Sequence, residues 1–320
     1  MTNRISLSLR FGLGISARFK GIGGSLQPST APANGRKTPD GDRYNYDDGY
    51  VLTDASGNAG NQTWYWGYDN SSQVSGNNIL FDRSTAPGLP ASRTARSEPY
   101  IGAELAYNRR LGVKEDWHNL RYGLEGAVNC LPISLNLSSR FSGNLTRVTD
   151  TYPYTPGTTP PTAPSQGTFN GPGFVIGSAP ISSTTTFLPA TVLERDRYEA
   201  NLWGLRLGPS LEFPCCDRFR VHLSGGLAVG LLDSSASWRQ TITVTAEGPA
   251  TLGGHADKLD VLWGAYAGLD AAWQLSNHWS LDGGVQFQDL GQHNQKLGLR
   301  QVQLDLSHSL FLLASISYSF

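Results

Sequence analysis

The chain is poor in charge: Asp, Glu, Lys and Arg make up 16% of its 320 residues and leave a net charge of −1. Such a balance gives no basic footprint for nucleic acid and no acidic tail. Long apolar runs are also missing. No window approaches the ~18 consecutive apolar residues of a transmembrane helix. That excludes a helical span, but not a membrane protein whose strands alternate and average out in hydropathy. Cysteine is scarce: Cys130, Cys215 and Cys216 fit no zinc or thioredoxin-like spacing. The adjacent pair, at a predicted tight turn, is either a vicinal disulfide or two thiols, incidental to function. Met1 is the single methionine and leads almost at once into a strand-like run. The expectation is a chain whose export signal has been removed. No cofactor or metal site is expected.

What the sequence does contain is alternation with a period of two. Val302, Leu304, Leu306, His308, Leu310, Leu312, Ala314, Ile316, Tyr318 and Phe320 share one parity, against a largely polar set. Near the other end Ile5, Leu7, Leu9, Phe11, Leu13, Ile15, Ala17 and Phe19 alternate with polar residues and glycine. Strand side chains point alternately to two faces, and these runs are about twice the ~5–6 residues usual in soluble strands. Similar runs lie at 98–110, from Trp117 past Leu137, at 203–213, at 219–231 with continuation to Thr245, at 261–275 and at 279–287. The phase slip near Leu131–Pro132 is expected to be a β-bulge. Short turns alternate with long Gly/Pro/Ser-rich connections at 21–97 and 147–194, the first holding a small hairpin. The chain is expected to be one domain, 1–320.

An even number of amphipathic strands, connections long on one side only, and a carboxy-terminal Phe on the last strand resemble the small Gram-negative outer-membrane barrels of the OmpA/OmpX/OmpW kind. The resemblance implies an all-β fold: an eight-stranded antiparallel up-and-down transmembrane β-barrel in the bacterial outer membrane. It implies lipid and lipopolysaccharide as surroundings, and insertion by the outer-membrane assembly machinery, with Tyr318 and Phe320 in the assembly signal. Alternation alone does not separate this from a lipocalin-like barrel with its apolar face inward. Three features favour lipid. The polar face carries Arg10, Glu104, Arg121, Glu125, Arg206, Glu212, Arg220, Asp270 and Asp282, expected as a paired network in a narrow lumen. Tyr107, Phe213, Phe219, Trp273, Trp279, Tyr318 and Phe320 fall beside the short turns, as a membrane-interface girdle requires, with Trp203, Trp263, Phe287 and Phe19 towards the long connections. The apolar stretches also match the ~9–11 residues of a tilted membrane strand.

Several residues invite chemistry. The lumen charges read first as structural ion pairs and second as the switch of a narrow, porin-like ion or small-solute channel. His222 and Ser224 form an H-x-S pair resembling a fragment of the site in outer-membrane lipid A deacylases, but strand parity turns them inward and no orienting acid is identifiable. His308 falls on the lipid-facing parity. Asp47, Asp48 and Asp54 do not follow the EF-hand spacing and read as turn formers rather than calcium ligands. The aromatic stretches Tyr46–Val51 and Thr63–Tyr68 resemble loops of uncharacterised outer-membrane proteins and read as folding the loop on itself rather than as an exposed binding surface. The functional expectation is a non-enzymatic surface protein with a structural role or an interaction role, in which its long loops would meet an extracellular ligand.

Overall fold

The computed structural model describes residues 3–22, 43–52, 59–85, 92–115, 119–216, 218–244, 248–298 and 300–320. Eight strands form its wall: β1 (Asn3–Leu13), β2 (Tyr100–Lys114), β3 (Leu120–Pro153), β4 (Ser182–Cys216), β5 (Phe219–Val244), β6 (Gly248–Gln274), β7 (Trp279–Asp289) and β8 (Ser309–Ser319). Each is hydrogen-bonded antiparallel to its neighbours in sequence, and β8 returns to β1 from Arg4↔Ser319 to Leu13↔Leu310. The ring is closed, which removes every sheet edge in this part of the molecule. Leu7, Leu105, Val128, Leu205, Leu227, Leu269, Val285 and Leu312, one from each strand, are exposed on the outside. The barrel therefore wears an apolar belt.

Beyond the belt the apolar residues move to the inside, by two different routes. Strands β1, β2, β7 and β8 break and continue as short strands: Ser16–Lys20, Ser92–Ala95, Gln292–Leu297 and Arg300–Asp305. These form a rim sheet in the same order as the strands beneath them. Each break reverses which parity faces inward. At the first, Gly14 takes φ +78°, a left-handed conformation that suits glycine, and its missing Cβ makes room for the His308 carbonyl. Ile15, Ala17, Phe19, Val302, Leu304 and Leu306 are consequently buried, not outward-facing as their parity had predicted, and Phe19 is no part of an outer aromatic ring. In β3 the backbone does not break. Its register with β4 is continuous from Arg121↔Glu212 to Thr151↔Ser182, so the expected bulge at Leu131–Pro132 is absent. The sequence itself changes parity there, so Leu131, Ile133 and Leu135 point inward where the belt ends. The ladder between β2 and β3 has its bulge elsewhere and on the other strand, between Arg110 and Gly112 of β2.

The second long connection is shorter than 147–194, because β3 runs to Pro153 and β4 starts at Ser182. These Ser/Thr-rich arms are polar on both faces over much of their length and show no apolar alternation. Residues 154–181 pack with the first connection into a cap. Ser165–Gln166 pairs with Trp66–Tyr68, Ile176–Gly177 pairs with Gln62–Thr63, and Asn78–Thr85 pairs with β3. Tyr46, Trp66, Tyr68, Phe81, Tyr152 and Ile176 form its core. The aromatics thus join the two loops to each other. Asp54, Ser56–Asn58, Asp116 and Trp117 lie outside the described residues.

Candidate functional site: the barrel lumen

Inward parity on six strands brings six of the charged or titratable residues into one buried layer. Arg206 on β4 reaches Glu104 on β2 and Glu125 on β3, each at 2.5 Å. Arg10 on β1 meets Glu104 at 2.8 Å and Gln288 on β7 at 3.1 Å, with its guanidinium 4.0 Å from the centre of the Phe311 ring. His222 on β5 stands 3.5 Å from Glu125 and 3.6 Å from Asp270 on β6. Gly284 leaves the space that Asp270 occupies, since a Cβ there would collide with its carboxylate. Glu104 and Arg10 are almost fully buried. A buried charge requires a partner and hydrogen bonds; this layer gives every charge an oppositely charged neighbour and leaves Arg10 Nε and His222 Nδ1 without a hydrogen bond.

Above the layer an apolar plug fills the cylinder. Leu202, Leu232, Leu262, Tyr266, Leu290 and Phe311 from the wall meet Ile15, Phe19, Val302 and Leu304 from the rim sheet. The void lined by the ion layer measures about 30 Å3, room for roughly one water. Further out, Arg300 of the rim sheet crosses to Glu194 and Asp196 on β4 and stacks 3.6 Å from the Trp238 ring. Burial pushes the Asp196 carboxyl up to about 6 and the Arg300 guanidinium down to about 10. Where β3 parts from β2, beyond Cys130↔Ala103, a cleft of about 830 Å3 opens beside Tyr100, Ile133, Ala200 and Ser234.

At the short-turn end Arg121, Glu212 and Arg220 form a separate cluster, joined by Arg4 and Arg110. The sequence reading missed those two arginines, although Arg4 shares its parity with Arg10 and Arg110 with Glu104. Asp282 belongs to neither group: it accepts hydrogen bonds from Ser280 and Ser317. Both ring nitrogens of His222 face carboxylates, so neither is directed at Ser224. The acids beside it, Glu125 and Asp270, come from other strands and could not be named from the H-x-S spacing. Around the short-turn end Tyr107, Trp273, Trp279, Tyr318 and Phe320 are exposed, and Phe213 and Phe219 half-buried. Trp279 and Tyr318 lie 5.0 Å apart and Tyr318 stacks on Phe320 at 6.2 Å. His308 is exposed at the opposite break.

In the cap, Asp47 accepts from the Ser84 amide at 2.7 Å and Asp48 from the Asp82 amide at 2.9 Å. Both carboxylates hold backbone. Burial lifts Asp48 to about 7. Tyr46 donates to Asp150 at 2.8 Å and lies 2.7 Å from the Tyr152 hydroxyl; burial raises it far above the ordinary phenol range. Cys130, Cys215 and Cys216 are free thiols.

No protein-family model and no curated protein matches the chain. Among solved structures, the attachment invasion locus protein Ail of Yersinia pestis is 7% identical over 99% of both chains, with a TM-score of 0.27. The outer membrane protein OprG from Pseudomonas aeruginosa is 10% identical over 98% of this chain and 95% of its own, with a TM-score of 0.30. A Pseudomonas aeruginosa FadL homologue is 10% identical over 100% and 90%, with a TM-score of 0.22. Overlaps this slight carry no weight for ligand or activity; the eight-stranded ring rests on the chain's own register.

Proposed function

We propose that the protein is a sealed outer-membrane barrel, non-enzymatic, whose role is exercised by the cap it holds outside the membrane. The belt supports the membrane reading. A continuous apolar surface around a closed sheet suits hydrocarbon, where every backbone group must be paired within the protein. The reversal of apolar residues to the inside beyond the belt fits a strand that passes from lipid into water. The aromatic ring near the short turns takes the place of an interfacial girdle, and Tyr318 and Phe320 that of the signal read by the assembly machinery.

One observation carries the functional half of the proposal: the lumen is filled, by an ion layer with a void of about 30 Å3 and by an apolar plug above it. A filled lumen leaves the outer assembly, with lipopolysaccharide around it, as the surface for an extracellular ligand. Conductance of the purified protein in planar bilayers tests this. No unitary steps are expected; steady single-channel currents would transfer the reading to the narrow channel.

The cleft beside Tyr100 and Ile133 favours one second reading, a side port through which a small apolar solute reaches the plug. Such a port would bind a fluorescent apolar probe without passing ions, and I133W would abolish the binding. Equal binding by I133W would remove this reading.

A further inference from the structure

The short-turn mouth of the lumen carries more positive charge than its carboxylate neutralises. Arg4, Arg110, Arg121 and Arg220, from β1, β2, β3 and β5, converge on Glu212 of β4. Arg121 is hydrogen-bonded to it at 2.7 Å, while Arg4 and Arg220 stand at 3.6 Å and Arg110 at 3.8 Å. Four guanidiniums against one carboxylate leave three positive charges. Arg220 also donates to the Gln274 side chain, while its Nε has no partner among the described residues. The other acids of the lumen form no ion pair with these four arginines, although Arg4 lines the same void as Glu125, Asp270 and Asp282. Glu104 and Glu125 are bound to Arg10 and Arg206, Asp270 faces His222, and Asp282 is held by Ser280 and Ser317.

The arginines line a cavity of about 220 Å3, together with Asn108 and Gln274. Their side chains are 11–29% exposed, enough for a solute to reach and too little for water to screen them fully. Guanidinium is the side chain whose planar fork matches phosphate and carboxylate oxygens. Like charges held this close repel one another unless an anion sits among them. We propose that the mouth is a binding site for a small oxyanion, a phosphate- or carboxylate-bearing molecule that reaches the barrel from its short-turn side.

Calorimetry on the full chain in detergent micelles, at fixed ionic strength in chloride, tests this with inorganic phosphate and with citrate as probes. Saturable binding of at least one is expected, and the tighter of the two identifies the natural group as phosphate or carboxylate. R110Q should weaken it about tenfold, R110K should weaken it less, since it keeps the charge and loses the planar fork, and E212Q should strengthen it about tenfold, since it removes the competing internal anion. Absence of saturable binding by both probes overturns the proposal, as does R110Q binding like the parent. Should R110Q fail to fold, as judged by heat-modifiable mobility, E212Q decides: affinity equal to or below the parent's means the arginines serve only Glu212.

Discussion

Arg206 is shared by two buried carboxylates, Glu104 and Glu125, and its removal is the sharpest test of the ion layer. R206M keeps the volume and leaves Glu104 with Arg10 and Glu125 with His222. Removing one partner of a buried pair typically destabilises by about 3–5 kcal/mol, because the remaining charge stays out of water. Urea unfolding in micelles should show that loss, and R206M/E125Q should recover part of it. An unchanged midpoint for R206M would mean the carboxylates reach solvent. Asp48 makes a prediction about pH. Its folded value, about 7, lies above the 3.8 of the free side chain, through burial first and neighbouring Asp82 among the lesser causes. As pH rises, the unfolded cap releases this proton before the folded cap does. Cap stability therefore falls between pH 4 and 7 and is flat above. Allowing for partial exposure, the loss is about 1–2 kcal/mol. D48N, which can still accept from the Asp82 amide, should reduce the slope in amide-exchange measurements on Tyr50 and Trp66. An identical slope in D48N would assign it to Asp47, whose carboxyl burial also raises.

At the scale of the strand, the break at Gly14 does for β1 what the change of parity at Leu131 does for β3. Any Cβ at residue 14 would have to tolerate φ +78° and sit 2.5 Å from the His308 carbonyl. G14A should therefore destabilise the rim sheet by about 1–3 kcal/mol while the β1–β8 ladder persists. Trypsin cleavage at Arg18 and Lys20 would report it, and a resistant rim would count against the kink. The same comparison explains what the sequence revealed. The belt was legible because its outward-facing residues are apolar and its lumen-facing ones small, polar or charged, so Leu7, Arg10, Leu205 and Arg206 announce their faces. The inward turn of Ile15–Phe19 and Val302–Leu306 was not, because their apolar parity runs unbroken while the backbone reverses. The slip at Leu131 looked like a bulge for the converse reason: the backbone is regular and the surroundings change. Parity puts Arg206 on the same face as the glutamates. Which of Glu104, Glu125 and Glu212 it would take depends on the stagger of the strands, which parity does not encode.

Across the whole molecule, the two long connections behave as one body. Residues 62–68 and 165–177 are hydrogen-bonded to each other, and Asn78–Thr85 extends the sheet along β3. The cap core draws Tyr46, Trp66 and Phe81 from the first connection, Ile176 from the second and Tyr152 from β3. Removing either connection alone would strip one side from this core and expose aromatic surface and unpaired strand edges, which favours aggregation. Removing both together takes away the two faces of the contact at once, leaving a barrel closed by its own ladder and filled by its own plug. Deletion of 154–181 alone, or of 43–85 alone, should thus yield protein that inserts but whose remaining loop is cut rapidly by added protease. The double deletion should insert, resist protease and keep heat-modifiable mobility. Protease resistance of both single deletions equal to that of the full chain would show that each loop folds by itself, and the cap would then be two surfaces rather than one.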